Sequence, residues 1–303
     1  MVVAGGHLTW INRDALSSTF DRFGPKTAVV GFLLVSGYSI AASLELDDKS
    51  FYLRRFKRIY PLYFFSLVMA VVLELWLGRY VLPNYIFEPT GSLAAFCNLI
   101  FLQTFLVKPI AFDGVVWSLA VEVSYYVAGP YLRNVSLTHF AVLIFISAIF
   151  FLLPRSYDGG QIYVYFLKMN AVKYFWPFAM GFILYHQRST ALTTCFGLTG
   201  TVLVWMSDEN SSNLAVVTFI LSFLIFLAAR SNMFKRVKFL DYLGDVSYPL
   251  YLVQIPVYVI AYKAFVITNT ALLLTLAIAA SSAIYELIDV RFKNVIFKRP
   301  AQV

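Results

Sequence analysis

The sequence predicts an all-α, polytopic membrane helix bundle of about ten transmembrane helices, with one further short re-entrant or peripheral helix. Two observations carry this prediction. The chain of 303 residues is 60% hydrophobic, its mean hydropathy is +0.74, and only 13% of its residues are charged, about half the usual share in a soluble domain. Apolar runs of about 17–25 residues, long enough to cross a bilayer, recur along the whole chain.

Each predicted span is an apolar run bounded by polar or charged residues. Residues 1–11 resemble the end of one more helix whose beginning is missing. The nine complete runs cover 27–44, 59–77, 115–132, 137–153, 171–187, 190–207, 213–230, 246–267 and 270–288. We therefore treat residues 1–303 as one integral membrane domain with a first helix truncated at its N terminus.

The run 93–107 differs from the others because it is short and contains the amides Asn98 and Gln103. Lysine and arginine concentrate on the cytoplasmic side of membrane proteins. The basic stretch 49–58 is therefore assigned to the cytoplasm, together with the clusters at 230–238 and 291–300. These three segments share one side only if 93–107 does not cross. This argument predicts ten crossings, both termini in the cytoplasm, and a re-entrant or peripheral 93–107.

The net charge of +8 comes from 24 Lys and Arg against 16 Asp and Glu. These positive charges are dispersed among short loops instead of forming the basic patch that binds nucleic acid, so no nucleic-acid partner is expected. The three histidines are far apart and the two cysteines are isolated. No spacing suits a metal site, and none is expected.

Glu122 stands in the middle of the apolar run 115–132. A carboxylate at that depth costs several kcal/mol unless it is paired or hydrated. Helical positions three and four apart share a face, so Ser118, Glu122, Tyr125 and Tyr126 form a polar stripe, with Trp117 near its outer end. The stripe is either an interhelical hydrogen-bond cluster or a functional site.

Arg55 and Arg58 are three residues apart at the start of the run 59–77. Both guanidinium groups therefore point in the same direction. This pair is either a basic anchor to lipid phosphate or a docking site for a soluble polyphosphate, which arginine binds through paired hydrogen bonds.

His7 follows Gly5 and Gly6 in the first apolar segment. A lone histidine in such a segment is often a packed or interfacial residue. Imidazole is also the side chain that titrates near neutral pH, which suits it to general-base catalysis. The two glycines permit close approach by another helix.

Four motifs resemble the acyltransferase-3 family of integral membrane acyltransferases in both order and spacing. They are "GFLLVSGYSI" (31–40), "RRFKRIYPLYF" (54–64), "WSLAVE" (117–122) and "YLGDVSYPLYLVQIPV" (242–257), and the end "YELIDVRFK" (285–293) is also similar. Enzymes of this family O-acylate, usually O-acetylate, bacterial surface polysaccharides, lipopolysaccharide, peptidoglycan and some small molecules.

The resemblance implies a set of site residues. The catalytic residues would be His7 and Glu122, the donor-binding residues Arg55 and Arg58, and the substrate-binding residues Trp117, Ser118, Tyr125 and Tyr248. Two positions depart from the family pattern, since Gln254 replaces a frequent histidine and Asp289 replaces glutamate. The family's arginine before the histidine would precede Met1.

The function implied is a multi-pass O-acyltransferase of the bacterial inner membrane. Its donor substrate would be acetyl-CoA or another acyl-CoA, with no permanently bound cofactor. Its other partners would be a glycan or lipid-linked saccharide acceptor, membrane lipid and polysaccharide-assembly proteins. The alternative is a secondary transporter or flippase for a glycan or lipid-linked intermediate. That class favours internal repeats and paired broken helices, which the sequence lacks.

Overall fold

The computed structural model of the protein describes residues 1–46, 50–153, 169–208, 212–231 and 238–292. These residues form thirteen α-helices and one two-stranded antiparallel sheet. In chain order the elements are α1 Val2–His7, α2 Ala15–Arg22, α3 Pro25–Leu46, α4 Phe51–Leu77, β1 Tyr80–Leu82, β2 Tyr85–Phe87, α5 Gly91–Leu99, α6 Trp117–Leu132, α7 Leu137–Leu152, α8 Asn170–Lys173, α9 Phe175–His186, α10 Thr190–Met206, α11 Asn213–Arg230, α12 Lys238–Phe265 and α13 Thr270–Ile284. Short 3-10 helices cover Leu8–Trp10 and Ala111–Val116, and a π-helix covers Tyr285–Phe292.

Every one of the nine apolar runs contains a helix, so the prediction of a helical membrane protein is confirmed. Five described helices are long and apolar enough to cross a bilayer, namely Pro25–Leu46, Phe51–Leu77, Asn213–Arg230, Leu240–Phe265 and Thr270–Val290. Helices α7 and α10 are apolar but shorter. The number of ten crossings stays a prediction. The basic clusters at 230–238 and 291–300 lie almost wholly outside the described residues.

Helix α3 lies at the centre of the bundle, because its most apolar stretch is 67% buried, more than in the other four long helices. It packs against α9 at van der Waals distance through two glycines. A Cβ atom on Gly37 would lie 1.9 Å from the Phe178 carbonyl oxygen, and one on Gly181 would lie 1.9 Å from that of Leu34. Small residues at such crossings let two backbones touch.

The segment between α4 and α6 enters the bundle and returns, as the sequence predicts for 93–107. Helix α5 has nine residues, about 14 Å at 1.5 Å per residue, which is too short to span. Its start is held by Glu74 near the end of α4, whose carboxylate accepts from the Thr90 backbone N–H at 2.7 Å. Its end lies beside Tyr60 and Tyr63, whose hydroxyls donate to the Leu99 and Asn98 carbonyls.

The return of this segment depends on its two buried amides. Nδ2 of Asn98 donates to the Lys108 carbonyl at 3.2 Å, and Nε2 of Gln103 donates to the Val116 carbonyl at 3.1 Å. Irregular backbone at membrane depth is tolerated only where its polar groups find protein partners. Phe112 then stacks on Phe87 of β2 with ring centroids 4.6 Å apart. The chain therefore returns from Gln103 to the hairpin that follows α4 before α6 begins.

The β1–β2 hairpin covers the end of the first helix. Tyr85 stacks on Trp10 with ring centroids 3.9 Å apart, and the Asn84 backbone N–H donates to the Trp10 carbonyl at 2.9 Å. Burial raises the pKa of Tyr85, so its phenol stays neutral in this contact. Gly5 lies directly against Phe20 of α2, as expected for a glycine that permits close approach. These contacts fix the position of α1.

Candidate functional site

A cavity of about 420 Å³ lies between α1, α3, α4, α6 and α12. Its size falls within the range of small-molecule sites. Its wall is mostly apolar, with polar groups contributed by Ser36, Ser39, Arg55, Arg58, Ser118, Glu122, Tyr126, Ser247, Tyr248 and Tyr251. The five helices thus bring four of the motifs in the sequence to one place.

The carboxylate of Glu122 is the acceptor at the centre of this polar group. Its Oε1 accepts from the Ser36 hydroxyl at 2.7 Å and from the Tyr126 hydroxyl at 2.6 Å. Arg55 and Arg58 both interact with it electrostatically. The side chain is 4% exposed, so these hydroxyls and positive charges replace the water that a carboxylate requires.

Arg55 and Arg58 occupy one face of the first turns of α4. Arg55 is buried, with its guanidinium 5.5 Å from the centroid of the Tyr126 ring and Nη2 donating to the Ser39 carbonyl at 3.0 Å. Arg58 is exposed at the cavity wall. Arg54 points elsewhere, because its Nη2 donates to the Ser43 carbonyl at 2.8 Å.

The α12 side of the cavity presents hydroxyl groups. The hydroxyls of Ser118 and Tyr251 are 2.6 Å apart, and that of Tyr251 donates to the Val115 carbonyl at 2.7 Å. The Tyr248 hydroxyl donates to the Ile59 carbonyl at 3.0 Å. These bonds join α6, α12 and α4 around the cavity, and they place Ser118 and Tyr248 in its wall.

His7 lies beyond the cavity, one helical turn from it. Val3 lines the cavity, and His7 is four residues later on the same face of α1. The imidazole contacts Trp10 with ring centroids 4.6 Å apart, and the side chain of Gln254 faces it. Among the described residues the carboxylate of Glu122 bonds to Ser36 and Tyr126, and no hydrogen bond joins it to His7. The catalytic role that the resemblance implies for Glu122 stays a prediction, and the partners of its carboxylate in the structure are hydroxyls and arginines.

Trp117 and Tyr125 do not line the cavity. The ring of Trp117 packs on Tyr174 with centroids 5.1 Å apart, and the Tyr125 hydroxyl donates to the Ala171 carbonyl at 2.7 Å. Both side chains therefore join α6 to α8 and the start of α9. A substrate-binding role for them stays a prediction from the resemblance.

The sequence pattern did not identify Ser36 as a partner of Glu122. Ser36 stands inside the quoted motif 31–40, but nothing local indicates which helix it meets. Tyr126 belongs to the predicted polar stripe and Tyr251 to the motif 242–257, but neither is among the predicted site residues. Within the described ranges no three His, Cys, Asp or Glu side chains come together as a metal site requires.

Comparison with known proteins identifies the family of the chain. The family model described as an acyltransferase domain matches residues 1–285. A protein of Acidianus two-tailed virus named for an acetyltransferase, ORF330, is 25% identical over 244 residues, which cover 73% of this chain and 69% of that protein. Nodulation protein 10 of Rhizobium leguminosarum bv. viciae is 25% identical over 279 residues, which cover 79% of this chain and 74% of the nodulation protein. No solved structure matches the chain. The chain therefore belongs to the acyltransferase-3 family and is a membrane acyltransferase.

Proposed function

We propose that this acyltransferase moves an acyl group, in the first instance acetyl, from cytoplasmic acyl-CoA to a hydroxyl of a cell-surface polysaccharide or its lipid-linked precursor. The observation that carries the proposal is the cavity in which Arg55 and Arg58 stand beside Glu122 and Ser118. Guanidinium groups bind phosphate oxygens through paired hydrogen bonds. Acyl-CoA is a thioester that carries phosphates, so its negative charge is complementary to the positive charges of Arg55 and Arg58.

The location proposed for the enzyme is the inner membrane of a bacterium, with the start of α4 facing the cytoplasm. This orientation follows from the basic stretch 49–58 and places Arg55 and Arg58 on the side where acyl-CoA is present. Membrane lipid and polysaccharide-assembly proteins would be its neighbours. Family membership favours the enzyme over the transporter or flippase.

The proposed chemistry uses His7 as the general base. The imidazole takes the proton of the acceptor hydroxyl while the hydroxyl oxygen attacks the thioester carbonyl carbon. The new C–O bond forms, the C–S bond breaks, and the thiolate of CoA leaves with the proton that the imidazolium returns. The hydroxyls of Ser118 and Tyr251 lie in the cavity wall, and either one, on turning from its present partner, would donate to the thioester carbonyl oxygen on which negative charge develops.

The test is transfer of label from radioactive acetyl-CoA to surface glycan in membranes that contain the protein. Replacement His7→Ala should lower the initial rate by about 100-fold or more, because a general base contributes a factor of that order. His139→Ala is the matched control, since this exposed histidine bonds to Ser136 near the start of α7. Full activity in the His7 variant at equal expression would remove His7 from the mechanism. Uptake of acetyl-CoA without labelled product would contradict the proposed function itself.

A further inference from the structure

Two buried atoms with complementary hydrogen-bonding properties lie where α1 meets α12. Nδ1 of His7 and Oε1 of Gln254 are both buried and make no well-formed hydrogen bond among the described residues, although the Gln254 side chain and the Val3 carbonyl both face the imidazole. Buried polar atoms normally have a partner, and an unsatisfied one costs about 1–3 kcal/mol. A ring N–H is a donor and an amide oxygen is an acceptor, so each atom supplies what the other lacks.

The orientation of the Gln254 amide is fixed by its other end. Nε2 donates to the Tyr251 carbonyl at 2.9 Å. Since that carbonyl only accepts, the NH₂ group must face it, and Oε1 must turn away from it. Gln254 is 0% exposed, so no water competes for that oxygen at the protein surface.

His7 on α1 and Gln254 on α12 lie at the same height in the bundle. Val3 and Tyr251 both line the cavity. His7 is four residues after Val3 on α1, and Gln254 is three residues after Tyr251 on α12, so each is one turn farther along the same helix face. One turn beyond Gln254, the Tyr258 hydroxyl donates to the Ala4 carbonyl at 3.1 Å, which holds α12 against α1.

We infer that Gln254 is a positioning residue that accepts the Nδ1 proton of His7 and thereby leaves Nε2 as the basic nitrogen. This inference rests on the proposed role of His7 as the general base. In a catalytic triad a carboxylate fixes the orientation and tautomer of the imidazole and also stabilises its cation. The amide of Gln254 fixes only the orientation and the tautomer. It adds no charge to a buried site, so the imidazole stays neutral and able to take a proton from the acceptor.

The contact itself is tested without any activity measurement. The protein is labelled with ¹⁵N-histidine, placed in lipid nanodiscs, and compared by NMR with the His7→Ala variant, which identifies the His7 signals. A single tautomer with the proton on Nδ1 is expected, and Gln254→Leu should convert it to a mixture of two tautomers. Identical His7 signals in the wild type and in Gln254→Leu would mean that the Val3 carbonyl, the other acceptor beside the ring, fixes the tautomer, and this result would overturn the inference.

The consequence for the reaction is tested with acetyl transfer. Gln254→Leu should lower kcat at least about tenfold and leave KM for acetyl-CoA unchanged. Gln254→Glu keeps an accepting oxygen, so it should restore activity and move the acid limb of the pH profile to higher pH, because a carboxylate stabilises the imidazolium. Tyr258→Phe removes the neighbouring bond between the same two helices and should keep the wild-type kcat.

Three results separate the possible failures. An unchanged kcat in Gln254→Leu overturns the positioning role, and so does an equal loss in Tyr258→Phe, which would indicate packing alone. A full rate in His7→Ala would instead contradict the proposed base, and the role of Gln254 in the reaction would be lost with it. The NMR comparison still decides whether the two side chains are bonded.

Discussion

At the scale of single residues, Glu122 shows how a carboxylate persists in the interior of a membrane protein. Each of its described neighbours supplies either a hydroxyl donor or a positive charge, from Ser36, Tyr126, Arg55 and Arg58. A buried charge is tolerated when hydrogen bonds and opposite charges replace its hydration. The carboxylate in turn lowers the cost of bringing two guanidinium groups close together. We therefore assign Glu122 to the arginine side of the site.

This assignment predicts the effects of two substitutions at Glu122. Glu122→Leu leaves the Ser36 and Tyr126 hydroxyls without their acceptor and should lower the free energy of unfolding by about 1–3 kcal/mol. Glu122→Gln retains an accepting oxygen and should therefore lower the free energy of unfolding by less than Glu122→Leu does. Thermal unfolding in detergent measures both. The control is Glu88→Gln, because this exposed carboxylate pairs with Arg79 at the surface. Equal stability of Glu122→Leu and the wild type would contradict the assignment.

Local sequence pattern identified some of these residues but not their partners. Helical periodicity places Ser118 and Glu122 on one face of α6, but it also leaves Tyr125 and Tyr126 equivalent. The structure separates them, since Tyr126 bonds to Glu122 and Tyr125 bonds to the Ala171 carbonyl. Which helices meet is decided by packing over the whole bundle. The contacts of Ser36 and Gln254 were therefore not predictable from periodicity.

At the scale of elements, the contact between α3 and α9 positions the wall of the cavity. Ser36 and Ser39 flank Gly37 on α3, and Gly37 touches the backbone of α9. A side chain at Gly37 or Gly181 has to push the two helices apart, because the nearest atoms are backbone carbonyls that have no room to move. The position of Ser36, and with it that of Glu122, depends on this crossing.

Gly37→Val should therefore destabilise the protein strongly, by more than the 1–3 kcal/mol typical of overpacked side-chain contacts. Melting temperature in detergent and the yield of folded protein are the measurements. Gly244→Ala is the control, since a Cβ atom there meets nothing within 4 Å. A Gly37→Val protein as stable as the wild type would mean that α3 and α9 do not touch in this way.

The segment between α4 and α6 is the element whose departure from an ordinary membrane span is most evident in the sequence. Charge distribution required it not to cross, and its two amides marked it as unlike an ordinary span. The structure explains why two amides occur in this apolar segment. Asn98 and Gln103 bond to the irregular backbone over which the chain turns back. The turn residues Phe101 and Thr104, with φ of 60° and 74°, carry no such signal, since neither residue type favours that conformation.

At the scale of the whole molecule, the two ends of α4 lie on different sides of the bundle. This helix has 27 residues, about 40 Å in length. Arg55 and Arg58 belong to its first turns, and the hairpin that covers Trp10 follows its last turn. His7 lies between the cavity and Trp10 along α1. The proposed donor site and the proposed base thus lie one after the other along α1, with His7 one turn beyond the cavity.

The central claim is that the cavity lined by Arg55 and Arg58 binds the phosphates of acyl-CoA. The most direct test compares acetyl-CoA with acetyl-pantetheine, a thioester donor without phosphates, in inverted membrane vesicles that carry the wild type, Arg58→Gln or the control Arg54→Gln. Arg58→Gln should raise KM for acetyl-CoA about tenfold, equivalent to about 1.4 kcal/mol, and leave KM for acetyl-pantetheine unchanged. Arg54→Gln should change neither. An equal rise for both donors in Arg58→Gln, or no rise for either, would contradict the claim.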